Sequence, residues 1–158
     1  MDTQNIIEKV FPETKKILSE LIKFQTVSGT SNIALIEYCE KKLSKVGATS
    51  FKTFDEKKKR VNLFSTVNGK SKVSGGGVIL SGHTDVVPAS PKEWTSDPFI
   101  ATEKNNKIYG RGSTDMKGFI ACSLALAPYF ASQNLKNPIH FSFTYDEETA
   151  CQGAPVMI

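Results

Sequence analysis

A histidine and an aspartate separated by one residue, His83 and Asp85, are the first residues whose chemistry suggests a site. Their side chains project from one face if the preceding strand continues this far. A carboxylate beside an imidazole fixes its tautomer and raises its basicity, as a metal ligand requires. The same pair also suits a loop cap, which is the commoner role for an isolated His-x-Asp.

Asp115 follows a glycine-rich segment and precedes a predicted helix. A carboxylate in that position commonly caps the helix or interacts with its dipole. Gly110, Gly112 and Gly118 would let the backbone pass close to a ligand or metal, because no Cβ intervenes. The segment is consistent with a helix cap and with a metal ligand.

Three consecutive carboxylates, Asp146, Glu147 and Glu148, come directly after an apolar segment. Their mutual repulsion is unfavourable unless cations offset it. A hard or borderline metal cation is the simplest compensation, and a solvent-exposed acidic turn is the alternative. Because all three polar segments lie at a strand end or a helix start, together they favour a metal site.

Other reactive or aromatic residues are interpreted as structural. His140 lies inside a predicted strand and indicates a packing or edge position. Trp94 either covers the core, the favoured interpretation, or lines a pocket. The odd number of cysteines and the absence of CxxC spacing argue against disulfides and a zinc knuckle, so Cys39, Cys122 and Cys151 are expected to be reduced and mostly buried.

The first two predicted helices follow from apolar residues at helical spacing. Residues 3–24 predict one helix in two pieces, interrupted at Pro12. The second helix has Thr30 or Ser31 as its N-cap and stops at Gly47.

The remaining elements suggest an alternating α/β chain. Strands are predicted over residues 50–54, 61–67, 78–80 and 139–145, with a glycine-rich loop over 69–77. The unbroken apolar run 78–80 is typical of a strand buried on both faces. A helix over 115–132, bent near Pro128, precedes the last strand, and residues 154–158 begin another helix. Such sheets bind ligands at the carboxyl ends of their strands.

The length, charge and hydropathy of the chain limit the classes of function that the sequence is compatible with. A chain of 158 residues fits one folding unit. The net charge of +4 is mild, and the densest basic run, residues 57–60, predicts a solvated turn rather than a nucleic-acid surface. No segment approaches the roughly 18 apolar residues of a membrane span, and charged residues interrupt the first twenty positions, so we expect a cytoplasmic protein.

Four motifs together resemble the M20 metallopeptidase family, in its order and spacing. They are residues 81–88 (SGHTDVVP), 94–99 (WTSDPF), 109–118 (YGRGSTDMKG) and 145–148 (YDEE). The resemblance implies an α/β fold, a three-layer helix-sheet-helix catalytic domain of the zinc-exopeptidase type with a mixed, mostly parallel sheet. Residues 1–158 would form the N-terminal part of that domain, C-terminally truncated and without the family's lid and dimerisation domain.

The resemblance also implies a role for each candidate residue. His83 would bind one metal ion, Asp115 would bridge two, and Glu148 would bind the second. Asp85 would orient His83, and Glu147 would be the general base that deprotonates the attacking water. Two divalent metals are implied, zinc first, with cobalt or manganese as alternatives. Family members have further acidic and histidine ligands beyond position 158, so weak or single-metal binding is the alternative for this chain.

The activity implied by the resemblance is hydrolysis of an N-acyl amino acid, a small-molecule substrate. N2-acetyl-L-ornithine, cleaved to ornithine and acetate in arginine biosynthesis, is the expected substrate. A succinylated diaminopimelate or another amide or peptide is the alternative. A non-catalytic remnant or assembly partner is the hypothesis of a different class. No nucleic-acid or membrane partner is expected, and full-length relatives are expected to be homodimers.

Overall fold

The computed structural model of the chain describes residues 3–67 and 76–158. Its helices are α1 (Thr3–Lys23), α2 (Ile33–Ser44), α3 (Lys117–Ser132) and α4 (Ala154–Met157). Its strands are β1 (Thr49–Phe54), β2 (Val61–Val67), β3 (Val78–His83), β4 (Thr102–Lys104), β5 (Lys107–Tyr109) and β6 (Ile139–Thr144). The predicted loop over 69–77 lies outside the described residues except for positions 76 and 77.

The main sheet has the strand order β1-β2-β6-β3. β1 pairs antiparallel with β2, β2 pairs antiparallel with β6, and β3 runs parallel to β6. The sheet is mixed, as predicted, but the expectation of a mostly parallel sheet is wrong for the described strands. The short connection between β1 and β2 permits only an antiparallel pair. β4 and β5 form a separate hairpin that the sequence does not predict, since three-residue strands carry too little alternation.

The two faces of the sheet differ in what covers them. Phe141 and Phe143 of β6 are fully buried in the core with apolar residues of α1, α2 and α3. Ser142, between them, points to the opposite face, where its Oγ contacts Met157 Sδ of α4 at 3.1 Å. In the described part of the chain, three helices therefore lie on one face and the short α4 lies on the other.

Helix α1 runs without a break through Pro12, so the prediction of two helical pieces is wrong. Proline removes one backbone donor, but the buried face formed by Ile17, Leu21 and Ile22 fixes the helix against the core.

The predicted N-caps of α2 are also wrong. The residue before the helix is Asn32, whose side chain donates to Val61 O at 2.8 Å and accepts from Val61 N at 2.9 Å instead of capping. Thr30 donates its hydroxyl to Val27 O at 2.6 Å. Gly47 adopts a left-handed φ of 77° just after the helix, which confirms it as the stop signal.

The solvent exposure of individual side chains shows that two further expectations are wrong. Val78 and Ile79 are 55% and 56% exposed, so β3 is not buried on both faces; it is one of the two edge strands of the described sheet. All three cysteines are free, but only Cys39 is buried, whereas Cys122 and Cys151 are exposed.

His140 packs within the sheet, as predicted. Its Nδ1 lies 2.9 Å from Thr66 Oγ1, and its ring centroid lies 5.2 Å from that of Phe64. Within residues 3–67 and 76–158, none of the helices has the length and apolar character to cross a membrane.

Candidate metal centre

His83 is the last residue of β3, and its backbone pairs with Thr144 at the end of β6. Because the two strands are parallel, their carboxyl ends meet, and the acidic residues after β6 come close to the imidazole. His83 is 5% exposed. Its Nδ1 lies 2.9 Å from the backbone oxygen of Asp85 and 3.4 Å from Asp85 Oδ1. The nearer contact that orients the ring is therefore a main-chain carbonyl, with the carboxylate behind it.

The other ring nitrogen faces a group of carboxylates. His83 Nε2 lies 3.0 Å from Asp115 Oδ1 and 3.7 Å from Glu147 Oε2. His83, Glu147 and Glu148 each offer a ligand atom within 4.8 Å of the others. Two ligands of one zinc ion, each about 2 Å from it, are separated by up to about 4 Å, so the contact with Asp115 suits a shared ion. This mixed nitrogen and oxygen donor set fits a divalent metal.

Asp85 is 2% exposed and lies beneath the carboxylates. It holds in place the acidic turn formed by residues 146–148. Its Oδ1 accepts the backbone N–H of Glu147 at 3.0 Å, and its Oδ2 accepts that of Glu148 at 3.3 Å. Ser28 Oγ donates to Oδ2 at 2.6 Å. The sequence does not predict these contacts, since a lone serine in a polar loop carries no signal of a partner 57 residues away. Asp85 thus fixes the two glutamates as well as the histidine.

The pKa values follow from burial and charge. Burial alone would lower the pKa of His83, but the bonds to Asp85 and Asp115 outweigh it and raise the pKa to about 9. Burial alone would raise the pKa of Asp85, but His83, Ser28 and the amide of Glu147 hold it at about 2. Burial, and then the charge of Asp115, raise the pKa of Glu148. The carboxylates are crowded enough for a cation to stabilise them.

Asp146 does not belong to the metal-ligand group, contrary to the interpretation of the three carboxylates as one unit. It is 1% exposed, and its Oδ2 accepts from Arg60 Nη1. The positive charge that offsets the Asp146 carboxylate is therefore an arginine side chain, not a metal ion. Arg60 ends the basic run 57–60, which was expected to be a solvated turn; that expectation is wrong for Arg60, whose side chain is 22% exposed.

Asp115 lies two residues before α3, whose N-cap is Met116, so the alternative of Asp115 as a helix cap is wrong. Its side chain is 72% exposed and free to reach His83. The neighbouring Lys117 is fully buried and donates from Nζ to Phe24 O at 2.6 Å. A Cβ on Gly112 would lie 2.7 Å from Val86 Cγ1, which explains the glycine. These contacts hold the segment that carries Asp115.

Two cavities flank the carboxylates. One, of about 360 Å³, is lined by His83, Glu147, Met116 and Met157, among others. The second, of about 260 Å³, is lined by Asp115, Glu148, Trp94 and Arg111, among others. Trp94 is half-buried, and its ring centroid lies 5.3 Å from Arg111 Cζ, so it lines a pocket and the favoured interpretation that it covers the core is wrong.

A family comparison matches the same part of the chain. The model described as Peptidase family M20/M25/M40 matches residues 79–158, just over half of the sequence. The chain belongs to this family.

Individual relatives match over different lengths. The acetylornithine deacetylase of Buchnera aphidicola subsp. Schizaphis graminum is 38% identical over 160 residues, which cover 97% of this chain and 40% of the relative. The acetylornithine deacetylase of Salmonella arizonae is 48% identical over 79 residues, 50% of this chain and 21% of the relative. An M20 family metallo-carboxypeptidase structure from Sulfolobus solfataricus has a TM-score of 0.70 at 25% identity, covering 85% of this chain and 31% of that one.

These comparisons confirm the predicted family and the α/β fold with a mixed sheet. The chain spans about 40% of the length of the first of these relatives. The roles of the individual site residues stay predictions, supported by the geometry above.

Proposed function

We propose that this chain is the N-terminal part of the catalytic domain of a metal-dependent amidohydrolase that releases acetate from N2-acetyl-L-ornithine. The observation that carries the proposal is the convergence of His83, Asp115, Glu147 and Glu148 at the carboxyl ends of β3 and β6. The names of the sequence relatives support the choice of substrate. In the full-length protein, we infer a homodimer that acts in the cytoplasm in arginine biosynthesis.

His83 and Asp115 would hold one divalent ion, and Asp115 and Glu148 would hold a second, with zinc as the first choice and cobalt or manganese as alternatives. When bound, such ions polarise a carbonyl and lower the pKa of water towards about 7. The 3.0 Å contact between His83 Nε2 and Asp115 Oδ1 supports this assignment, because two ligands of one zinc ion lie up to about 4 Å apart. Asp115 suits the bridging position because its exposed carboxylate contacts His83 and, in addition to burial, its charge raises the pKa of Glu148.

Glu147 would act as the general base. Its side chain is 46% exposed, and it borders the larger cavity, so it can reach a bound substrate. The hydrogen bond from its backbone to Asp85 fixes the main chain, while its carboxylate contacts Cys151 Sγ at 3.8 Å and His83 Nε2 at 3.7 Å. In this position it can take a proton from the attacking water and deliver it to the leaving amine of the substrate.

The test is zinc binding by calorimetry together with release of ornithine from N-acetylornithine. We expect zinc-dependent hydrolysis by the chain, and Glu147→Gln should abolish turnover without reducing zinc stoichiometry, since only the base is removed. Glu56→Gln, a change at an exposed glutamate of the β1–β2 turn, is the matched control and should alter neither property.

Three results would contradict parts of the proposal. Failure of the wild-type chain to bind zinc would remove the metal site. Zinc binding without turnover at saturating metal would refute hydrolysis by this chain alone. Faster cleavage of N-succinyl-diaminopimelate than of N-acetylornithine would replace the proposed substrate.

A further inference from the structure

Arg60 lies 86 residues before Asp146 in the chain, yet the two side chains form an ion pair through Arg60 Nη1 and Asp146 Oδ2. The Asp146 side chain is 2% exposed and that of Arg60 is 22% exposed. The pair is thus largely shielded from water. In such a buried position, a charge without a partner of opposite sign is unfavourable.

The conformation of Asp146 depends on contacts with distant parts of the chain. Its backbone adopts a left-handed φ of 51°, which is unfavourable for residues other than glycine unless the surroundings fix it. Besides Arg60, the carboxylate accepts the backbone N–H of Gly29 at 2.9 Å through Oδ1. Its backbone oxygen accepts from Gln152 N at 3.0 Å. Only Arg60 supplies a positive charge among these contacts.

Arg60 is itself held in place by a second aspartate and an aromatic ring. Asp55 Oδ1 accepts the backbone N–H of Lys59 at 2.7 Å and of Arg60 at 2.8 Å, and Asp55 Oδ2 lies 3.2 Å from Arg60 Nε. The guanidinium carbon lies 5.2 Å from the ring centroid of Tyr145. A planar guanidinium can join two carboxylates and stack on a ring at once, which a lysine ammonium cannot.

We propose that Arg60 is a positioning residue that fixes the acidic turn of residues 146–148, so that Glu147 and Glu148 face His83. The inference rests on the proposed function of those glutamates at a metal site. Without Arg60, the carboxylate of Asp146 would be a buried charge without a cation. The turn would relieve that cost by rotating Asp146 towards water, which would move Glu147 and Glu148 away from Asp85 and His83.

The first measurement is amide hydrogen exchange in the metal-free chain, comparing wild type with Arg60→Met. The backbone N–H groups of Glu147 and Glu148, which donate to Asp85, report the acidic turn. Those of Phe141 and Phe143, in the core strand, report global stability. We expect at least tenfold faster exchange at the two glutamates and less than twofold change at the two phenylalanines. Lys57→Met removes the same charge from an exposed position of the same turn and should change neither pair.

The second measurement is zinc affinity by calorimetry. Arg60→Met should weaken zinc binding at least tenfold, and Asp146→Asn should weaken it similarly. The double variant should be no weaker than the worse single variant, because both changes break one interaction. Arg60→Lys keeps the positive charge but lacks the planar guanidinium, so its zinc affinity should lie between those of wild type and Arg60→Met. If Arg60→Met does not fold, Arg60→Lys and Asp146→Asn carry the test.

Unchanged exchange at Glu147 and Glu148 would overturn the proposal, as would equal acceleration at Phe141 and Phe143, which would show general destabilisation. Additive losses of zinc affinity in the double variant would also overturn it. Failure of the proposed function is a separate result: a wild-type chain that binds no zinc refutes the metal site, while the exchange measurement still decides whether Arg60 positions the turn.

Discussion

Replacing Asp85 with asparagine tests whether one buried carboxylate organises the centre. The substitution keeps the shape of the side chain but removes its charge and turns one acceptor oxygen into a donor NH₂ group. Asp85 accepts from Ser28 Oγ and from the backbone N–H groups of Glu147 and Glu148, so at least one of these donors must lose its partner in Asp85→Asn.

Two lines of reasoning about the same contacts give the size of the effect. A pKa of about 2 in place of 3.8 for Asp85 corresponds to roughly 2 kcal/mol at pH 7, at about 1.36 kcal/mol per tenfold change in acidity. The side chain is almost fully buried, so solvent screening reduces this little. Hydrogen bonds to a charged group contribute about 1.5–3 kcal/mol. We therefore expect Asp85→Asn to lower the free energy of unfolding by about 2–3 kcal/mol at pH 7.

The lowered pKa of Asp85 also determines how the effect depends on pH. Because the pKa of Asp85 is lower in the folded chain, the unfolded chain binds more protons between pH 4 and pH 2, and the stabilisation present above pH 4 is lost as the pH falls through about 2. The difference between wild type and Asp85→Asn should therefore shrink as the pH falls from 4 to 2.

The assay is urea denaturation of the metal-free chain at pH 7, 4, 3 and 2, followed by the fluorescence of Trp94, the single tryptophan. Glu56→Gln, at an exposed position, should stay within about 0.5 kcal/mol of wild type. A loss below about 0.5 kcal/mol at pH 7 for Asp85→Asn, or a loss of equal size at every pH, would refute the role of the charge.

The remaining predictions concern the metal ligands. Asp115→Ala should weaken zinc binding at least tenfold and lower the pKa of His83 below about 9, since the 3.0 Å contact is removed; calorimetry and NMR titration of the imidazole check this, and an unchanged pKa would mean that the two residues do not interact. With that pKa, His83 is protonated at pH 7 in the metal-free chain, so zinc binding should release about one proton from it. Calorimetry in buffers of different ionisation enthalpy measures this release, and no release would contradict His83 as the ligand.

The sequence predicts those parts of the fold that have a local pattern. The strands β2 and β6 and the helices α1 and α2 follow from periodic apolar residues, and the motifs around His83, Asp115 and Glu148 identify the family. Partners chosen in three dimensions leave no such pattern. Arg60 stands in a run of four basic residues that is typical of a solvated turn, and Ser28 stands in an ordinary polar loop.

The sequence alone predicts one role, in a metal site, for all three carboxylates of the acidic turn, and the backbone of the turn explains why that prediction is wrong for Asp146. If residues 146–148 continued the strand, Asp146 and Glu148 would share a face and Glu147 would point away. The left-handed backbone of Asp146 breaks this alternation. Its carboxylate then meets Arg60, while Glu147 and Glu148 face His83. The charge of the first carboxylate is therefore offset by an arginine, and the charges of the other two are offset by a metal ion under the proposed function. A substitution of Arg60 should consequently weaken zinc binding at the candidate metal centre, although Arg60 is not itself a candidate metal ligand.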